Sequence, residues 1–414
     1  MDVSALGQRA KKAAANLANL DSTAKNEALL KIAEGLLANQ DRILAVNREE
    51  VAKAKASGLR DSLIERLILN PGRIAAMVEG LREIVRLEDP VGSVEKMWRR
   101  PNGLEIGRVR VPLGVVAIIY EARPNVTVDA AALCLKTGNA VILRGGSEAL
   151  QTNQVLVQVI REALRGTDLP EEAVQLLASP DREAAVALMR MREYVDVLVP
   201  RGGAGLIQTV VQNAQVPVIE TGIGICHTYV DASADLEQAL QIVVNAKTQR
   251  PAVCNALETL LVHQAIAAAF LPRCGEELRR KGTEIRGCPQ TLAYIPWAKA
   301  ATEEDWATEY LDLILAVKVV PDLTAATDHI ARYGSGHSEC IITSDYATAR
   351  KFLQVVDAAA VYVNASTRFT DGYEFGLGAE LGISTQKLHA RGPMGLSALT
   401  TTKYIIYGDG QIRQ

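Results

Sequence analysis

The chain has 414 residues, 48% of them hydrophobic, with a formal net charge of −3 and a pI near 6.1. That length and apolar content bury a large core, organised as about two domains. The near-neutral balance and an aromatic content of 4% exclude the global basic field and base-stacking platforms of nucleic-acid binders. Near the N-terminus Arg9, Lys11 and Lys12 lie among alanines and leucines with no continuous apolar core, so no signal peptide is expected. Asp2 and the short length weaken the case for a transit peptide. No run approaches the ~18–20 apolar residues of a membrane span. The cysteines, Cys134, Cys226, Cys254, Cys274, Cys288 and Cys340, contain no C-x-x-C pair and no zinc-ligand spacing. A reduced, cytosolic, metal-free protein is the expectation.

The first ~90 residues read as helices, with one apolar face of Leu29, Ile32, Ala33, Leu36 and Leu37 and another of Ile74, Met77, Leu81 and Ile84. Asp21-Ser22-Thr23 supplies an N-cap, and Pro71-Gly72 separates the faces. Glu105 to Val111 alternates, as a half-exposed strand does. Short apolar runs follow at Val115–Tyr120, Ala140–Arg144, Val174–Ala178, Val195–Val199 and Val216–Ile219, the last weakened by Pro217. Helical stretches separate them, which is the rhythm of βαβ units around a parallel sheet. A second α/β portion runs from about Cys226 to Asn364, with strand-like runs at Leu260–Val262, Ile314–Val320, Glu339–Thr343 and Ala360–Asn364. The tail Thr401–Tyr407 reads as an edge strand that needs a partner to cover it.

A parallel sheet invites a dinucleotide, yet G-x-G-x-x-G is missing after its first strand, where Tyr120-Glu-Ala-Arg-Pro-Asn125 stands instead. Gly376-x-Gly378 with Gly382 has the wrong spacing and lies in the wrong half. The chemistry concentrates in Asn245-Ala-Lys-Thr-Gln-Arg-Pro-Ala-Val-Cys254-Asn-Ala-Leu-Glu258. A helix-like run from Leu236 to Lys247 is stopped by Pro251, a thiol follows, and an apolar segment then begins. Lys247, Arg250 and newly started backbone N–H groups all favour the thiolate, the nucleophilic form of cysteine. His227, beside Cys226 in an apolar stretch, reads as a core histidine.

These segments together resemble the aldehyde dehydrogenase superfamily. The pieces that carry the resemblance are Val111-Pro-Leu-Gly-Val-Val, Tyr120-Glu-Ala-Arg-Pro-Asn-Val-Thr, Lys136-x-Gly-Asn-Ala-Val-Ile-Leu-Arg-Gly-Gly-Ser-Glu and Leu198-Val-Pro-Arg-Gly-Gly. Further along come Cys226-His-Thr-Tyr-Val-Asp, the Cys254 segment, His337-Ser338-Glu339 and Glu374-Phe-Gly-Leu-Gly-Ala-Glu. Their order and spacing span nearly the whole chain. The resemblance is to the branch that reduces L-glutamate 5-phosphate to its semialdehyde with NADPH, releasing phosphate, in proline biosynthesis. It implies an α/β fold with a Rossmann-type parallel-sheet cofactor domain (1–93 and 111–225), an α/β catalytic domain (226–395) and oligomerisation arms (94–110 and 396–414).

The same resemblance assigns roles. Cys254 matches the nucleophile, and its own backbone N–H is the expected oxyanion donor. General aldehyde dehydrogenases add an asparagine amide in the first βα turn; Ala122 falls there, and Asn125 is the candidate substitute. Glu220 aligns with the water-activating glutamate of oxidative relatives and is grouped with the cofactor residues. Arg144 stands where many relatives have a lysine near the adenosine ribose, and a guanidinium there suits a 2′-phosphate. Ser147 adds a hydroxyl and an N–H at the next helix start. Gly202 and Gly203 let another helix start approach the cofactor, and Glu309 matches a glutamate that grips the nicotinamide ribose. Arg123, Arg250 and Lys247 are the cations for the reacting end of the substrate, with Arg391 and His337 for the amino-acid end. A homo-oligomer is expected, with a separate glutamate kinase as partner because no kinase domain is fused here. The rivals are an enzyme passing the acyl group to coenzyme A and a catalytically silent scaffold on the same fold.

Overall fold

The structure is a computed structural model that describes residues 2–413. Met1 and Gln414, the outer ends of the expected cofactor domain and C-terminal arm, lie outside the described residues. The chain divides into two compact units. One holds the residues through Thr221, Gly376–Gly382 and the chain from Met394 on; the other holds Gly222–Phe375 and Ile383–Pro393.

The first unit begins with helices whose starts are set by polar caps. Asp2 accepts from the N–H groups of Ser4 and Ala5, and Asp21 from that of Ala24. Asn70 caps the helix Pro71–Arg86 with proline in its first turn, where the missing N–H costs nothing. Leu29, Ile32, Ala33 and Leu36 are buried as the periodicity predicts, and so are Ile74, Met77, Leu81 and Ile84. Leu37, expected on the first face, is 44% exposed, because it lies on the flank of that stripe.

The four-stranded sheet of this unit is parallel, in the order Val174–Leu176, Ala140–Arg144, Val115–Tyr120, Val197–Arg201. Every residue of Val115–Tyr120 is buried, which explains its unbroken apolar run. The expected strand Val216–Ile219 is reduced to a single bridge between Leu198 and Val218. Pro217 can accept from Leu198 N–H but has no N–H to give, so the ladder stops there. A separate antiparallel sheet pairs Glu105–Pro112 with Val94–Arg99 on one side and Thr400–Tyr407 on the other. The expected arms therefore join each other as strands within the first unit.

The second unit is built on a seven-stranded parallel sheet, in the order Lys299–Ala300, Glu284–Gly287, Ile314–Val320, Leu257–His263, Cys226–Val230, Ser338–Ile342, Ala360–Val363. Its core gathers Leu257, Leu260, Val262, Phe270, Leu271, Leu315, Val317 and Ile342 around the central strands. The central strand Leu257–His263, buried at all but its last residue, starts immediately after the Cys254 segment, so the thiol sits at its entry. No helix among the described residues is long and apolar enough to cross a membrane.

Candidate active site

In the second unit the helix Leu236–Thr248 is capped by Asp235, and the chain then turns through Pro251 into the nucleophile segment. Ala256 N–H donates to Val253 O at 3.1 Å, closing a turn with Cys254 and Asn255 at its centre. The Cys254 residue is partly exposed, whereas Asn255 is only 4% exposed. Contacts hold this turn from two sides. On one, the Cys226 thiol donates to Cys254 O at 3.2 Å, and Gly224 packs so tightly that a Cβ on it would fall 1.5 Å from that oxygen. Glycine is required there for lack of space. Glu309 Oε1 in turn accepts from Gly224 N–H at 2.8 Å, and burial pushes the Glu309 carboxyl up. On the other side, Asn255 Nδ2 donates to Thr370 O at 2.8 Å and Arg368 O at 3.3 Å, while Thr367 Oγ1 donates to Asn255 O at 2.8 Å.

Several expected substrate residues prove to be committed elsewhere. Lys247 and Glu258 form an ion pair at 2.7 Å with both side chains 0% exposed. Glu258 Oε1 also accepts from Leu311 N–H at 3.2 Å. Burial pushes the Glu258 carboxyl up and the Lys247 ammonium down, each opposed by the charge of the other. Lys247 is therefore a cation of the protein interior rather than a substrate ligand. His337 is likewise fully buried; its Nδ1 lies 2.8 Å from Ser338 Oγ, and burial takes its pKa down to about 4. A neutral, enclosed imidazole does not hold an α-carboxylate. Arg391 pairs with Asp357 at 2.7 Å on the surface, which redirects the third expected contact. Arg250 remains exposed beside the nucleophile turn. His227 is the core histidine its setting suggested, with Nδ1 3.0 Å from Glu339 Oε2.

The sequence reading missed Arg368, Asn255, Gly224 and Cys226 as parts of this site. Arg368 donates through Nε to Gln249 Oε1 at 2.9 Å and through Nη1 to Asn255 Oδ1. Asn255 was visible next to the thiol, but a tail loop 113 residues further on as its anchor was not.

In the first unit, Arg144 ends its strand with Nη2 3.5 Å from Pro180 O and with Nε buried and unpartnered. A buried guanidinium nitrogen left without an acceptor is costly, and an anionic group would satisfy it. Ser147 is exposed on a short 3₁₀ turn, Ser147–Ala149. The helix that follows, Leu150–Leu164, does not offer its N–H groups as expected. Glu50 accepts from Gln151 N–H at 2.7 Å, Thr152 N–H at 2.9 Å and Thr152 Oγ1 at 2.5 Å. Ser147 thus brings its hydroxyl without the helix start. The helix Ala204–Asn213 is also occupied: Gly203 N–H donates to Glu121 Oε2 at 3.1 Å. A Cβ on Gly202 would fall 2.7 Å from Glu121 Cδ, so glycine there makes room for this carboxylate rather than only for a cofactor. Arg123 stands at the N-cap of Pro124–Lys136, partly exposed. Asn125 Nδ2 donates to Asp129 Oδ2 at 3.0 Å, which leaves its second amide hydrogen for an oxyanion. Burial raises the Asp129 carboxyl to about 6, opposed by Asn125 and Arg201. Glu220 is partly exposed in the extended segment after Val218.

Residues 1–284 match the model of the aldehyde dehydrogenase family. The gamma-glutamyl phosphate reductase of Moorella thermoacetica is 64% identical over 414 residues, covering 100% of this chain and 99% of its own. That of Carboxydothermus hydrogenoformans is 64% identical over 408 residues, covering 99% of this chain and 98% of its own. A crystal structure of gamma-glutamyl phosphate reductase from Thermotoga maritima superposes with a TM-score of 0.98 at 51% identity, covering 100% of both chains. The chain belongs to the aldehyde dehydrogenase family, in the group of the gamma-glutamyl phosphate reductases.

Proposed function

We propose that this chain reduces L-glutamate 5-phosphate to L-glutamate 5-semialdehyde with release of phosphate, using NADPH, as the second step of proline biosynthesis from glutamate. The observation that carries this is the full-length identity to gamma-glutamyl phosphate reductases. The clamped, partly exposed Cys254 supplies the chemistry. The Cys254 thiolate attacks the acyl carbon, and phosphate leaves with the electron pair of the C–O bond, giving a thioester. Phosphate is a good leaving group and needs no proton from a side chain, in keeping with a neutral, buried His337. NADPH, when bound, supplies the hydride that brings the acyl group to the aldehyde level. Cys254 then departs as thiolate and the semialdehyde is released. The Cys254 backbone N–H is the oxyanion donor in this scheme, with Asn125 as the side-chain candidate.

The unpartnered Arg144 Nε supports a place for the 2′-phosphate of the cofactor, with the Ser147 hydroxyl beside it. Gly202, Gly203, Glu220 and Glu309 complete the cofactor set, Glu309 through the same carboxylate that holds Gly224. Arg123 and Arg250 are the cations for the reacting end. Residues 1–93 and 111–225 form the cofactor domain, 226–395 the catalytic domain, and 94–110 with 396–414 the oligomerisation arms. Exposed Val94, Met97, Tyr404, Ile406 and Tyr407 on the three-stranded sheet support a homo-oligomer formed through those arms. The unpaired cysteines support a cytosolic setting, and a substrate that hydrolyses and cyclises readily supports a glutamate kinase partner.

The test generates glutamyl phosphate in place from glutamate, ATP and a glutamate kinase, and follows NADPH oxidation with phosphate release. One phosphate released by the reductase per NADPH, with no response to coenzyme A, is expected. Turnover that requires coenzyme A would assign the chain to acyl transfer instead.

A further inference from the structure

Arg368 is held where no sequence spacing places it. It lies on the 3₁₀ turn Thr367–Phe369, which is fastened to the residue after the nucleophile by the Thr367 hydroxyl and by the backbone carbonyls of Arg368 and Thr370. Its guanidinium spends Nε on Gln249 Oε1 and Nη1 on Asn255 Oδ1, two neutral amide oxygens that flank Cys254 in the chain. The ion pairs of this unit engage Arg273, Arg280, Arg286, Arg332 and Arg391, while Arg368 and the neighbouring Arg250 have no carboxylate partner among the described residues.

Two guanidinium groups meet beside this turn, neither held in an ion pair among the described residues, and they repel each other. Burial lowers the Arg368 pKa first and the charge of Arg250 lowers it further, opposed by the Cys254 sulfur and then by the Asp371 carboxylate. Arg250 and Cys254 are therefore each within electrostatic reach of Arg368. A dianion arriving at the thiol would relieve the repulsion and accept several N–H bonds in the planar geometry that guanidinium offers. Asn255 and Gln249 orient Arg368 through single bonds, leaving the other N–H groups of a five-donor fork for a ligand.

We infer that Arg368, together with Arg250, forms the subsite that grips the phosphoryl group of the substrate at Cys254 and holds the phosphate as it leaves. This rests on the acyl-phosphate reading above. As the C–O bond breaks, the electron pair passes to phosphate; the two arginines stabilise that charge and transfer no proton. Lys247, one of the three cations the sequence nominated for the reacting end with Arg123 and Arg250, is enclosed with Glu258, and Arg368 takes its place.

The reverse reaction separates this subsite from a structural role. Glutamate semialdehyde, NADP⁺ and inorganic phosphate are supplied to the wild type, Arg368→Lys and Arg368→Ala, and the KM for phosphate and for semialdehyde are measured separately. Arg368→Ala should raise the phosphate KM at least ~10-fold and lower kcat/KM for phosphate by ~10²–10³, with the semialdehyde KM little changed. Arg368→Lys should recover part of the loss, and added guanidinium salt should restore activity to Arg368→Ala. If both KM values are unchanged, or if kcat falls without a phosphate effect or guanidinium rescue, Arg368 only braces Asn255 and the subsite is overturned. A wild type whose NADPH formation ignores phosphate would overturn the acyl-phosphate reading itself, which is a distinguishable result.

Discussion

The Cys254 turn in the second unit and the Arg144 turn in the first are built on opposite plans. Around Cys254 the polar backbone is taken up on both sides: its carbonyl by Cys226 and the neighbouring Asn255 by Thr367 and Thr370. Gly224 leaves no slack beneath it. Beneath Arg144 the fold leaves a buried Nε with no acceptor, although Glu50 takes two N–H groups of the helix start that follows. The nucleophile turn is fixed by over-determining its backbone, whereas the Arg144 turn leaves a donor unmet, as the proposed 2′-phosphate site requires. Where each plan is broken, different quantities should move.

The largest effect is expected beneath the nucleophile. Lys247→Met leaves Glu258 buried without its counter-charge and should cost ~3–5 kcal/mol in urea unfolding. Lys247→Met combined with Glu258→Leu should recover most of that loss, because two apolar side chains need no pairing. A single variant as stable as the wild type would mean that Lys247 carries no charge in the folded chain.

Gly224→Ala attacks the turn from its other side. The added Cβ must displace Cys254, so kcat should fall ~10²-fold or more while NADPH binding stays unchanged. Slower alkylation of Cys254 by iodoacetamide would accompany the loss, and unchanged turnover would show that the turn can yield.

Arg144→Met addresses the contrasting plan. It should raise the KM for NADPH ~10-fold and leave that for NADH nearly unchanged, since only the former carries the 2′-phosphate. Equal effects on both cofactors would place Arg144 elsewhere.

At neutral pH the smallest effect is the one that pH controls. His337 is neutral in the folded chain, with its pKa taken from 6.5 to about 4 by burial. His329 is taken further, to about 3, by burial first and then by His227. The unfolded chain therefore binds more protons below pH 6.5, so stability is full above that value and falls as pH drops towards 4. Each histidine contributes ~1.4 kcal/mol per pH unit in that window. His337→Asn should remove one such contribution from the slope of unfolding free energy against pH.

The sequence disclosed what depends on continuous runs. Val115–Tyr120, Ala140–Arg144 and Ile314–Val320 appear where unbroken apolar residues announced them, because strands buried on both faces need no polar alternation. Glu284–Gly287 and Lys299–Ala300 were not read: they lie at the sheet edge, and their charges pair with one another, Lys299 with Glu284 at 2.5 Å. Cys226–Val230 was obscured by His227 and Thr228, polar side chains buried within the strand, the first of them partnered by Glu339 on the neighbouring strand. In the site, spacing revealed the thiol and its nearby cations but not their partners. Lys247 and Arg250 look equivalent in the chain, yet one faces Glu258 in the core and the other faces solvent. Arg368 could be found only once the tail loop was seen to close on Asn255.

The most direct test supplies glutamate semialdehyde and NADP⁺ to the wild type and to Cys254→Ala, and follows NADPH formation with and without inorganic phosphate. NADPH formation that depends on phosphate in the wild type and disappears in Cys254→Ala is the predicted result. Phosphate-dependent NADPH formation that survives in Cys254→Ala would contradict the account, because the acyl group would then be carried without this thiol.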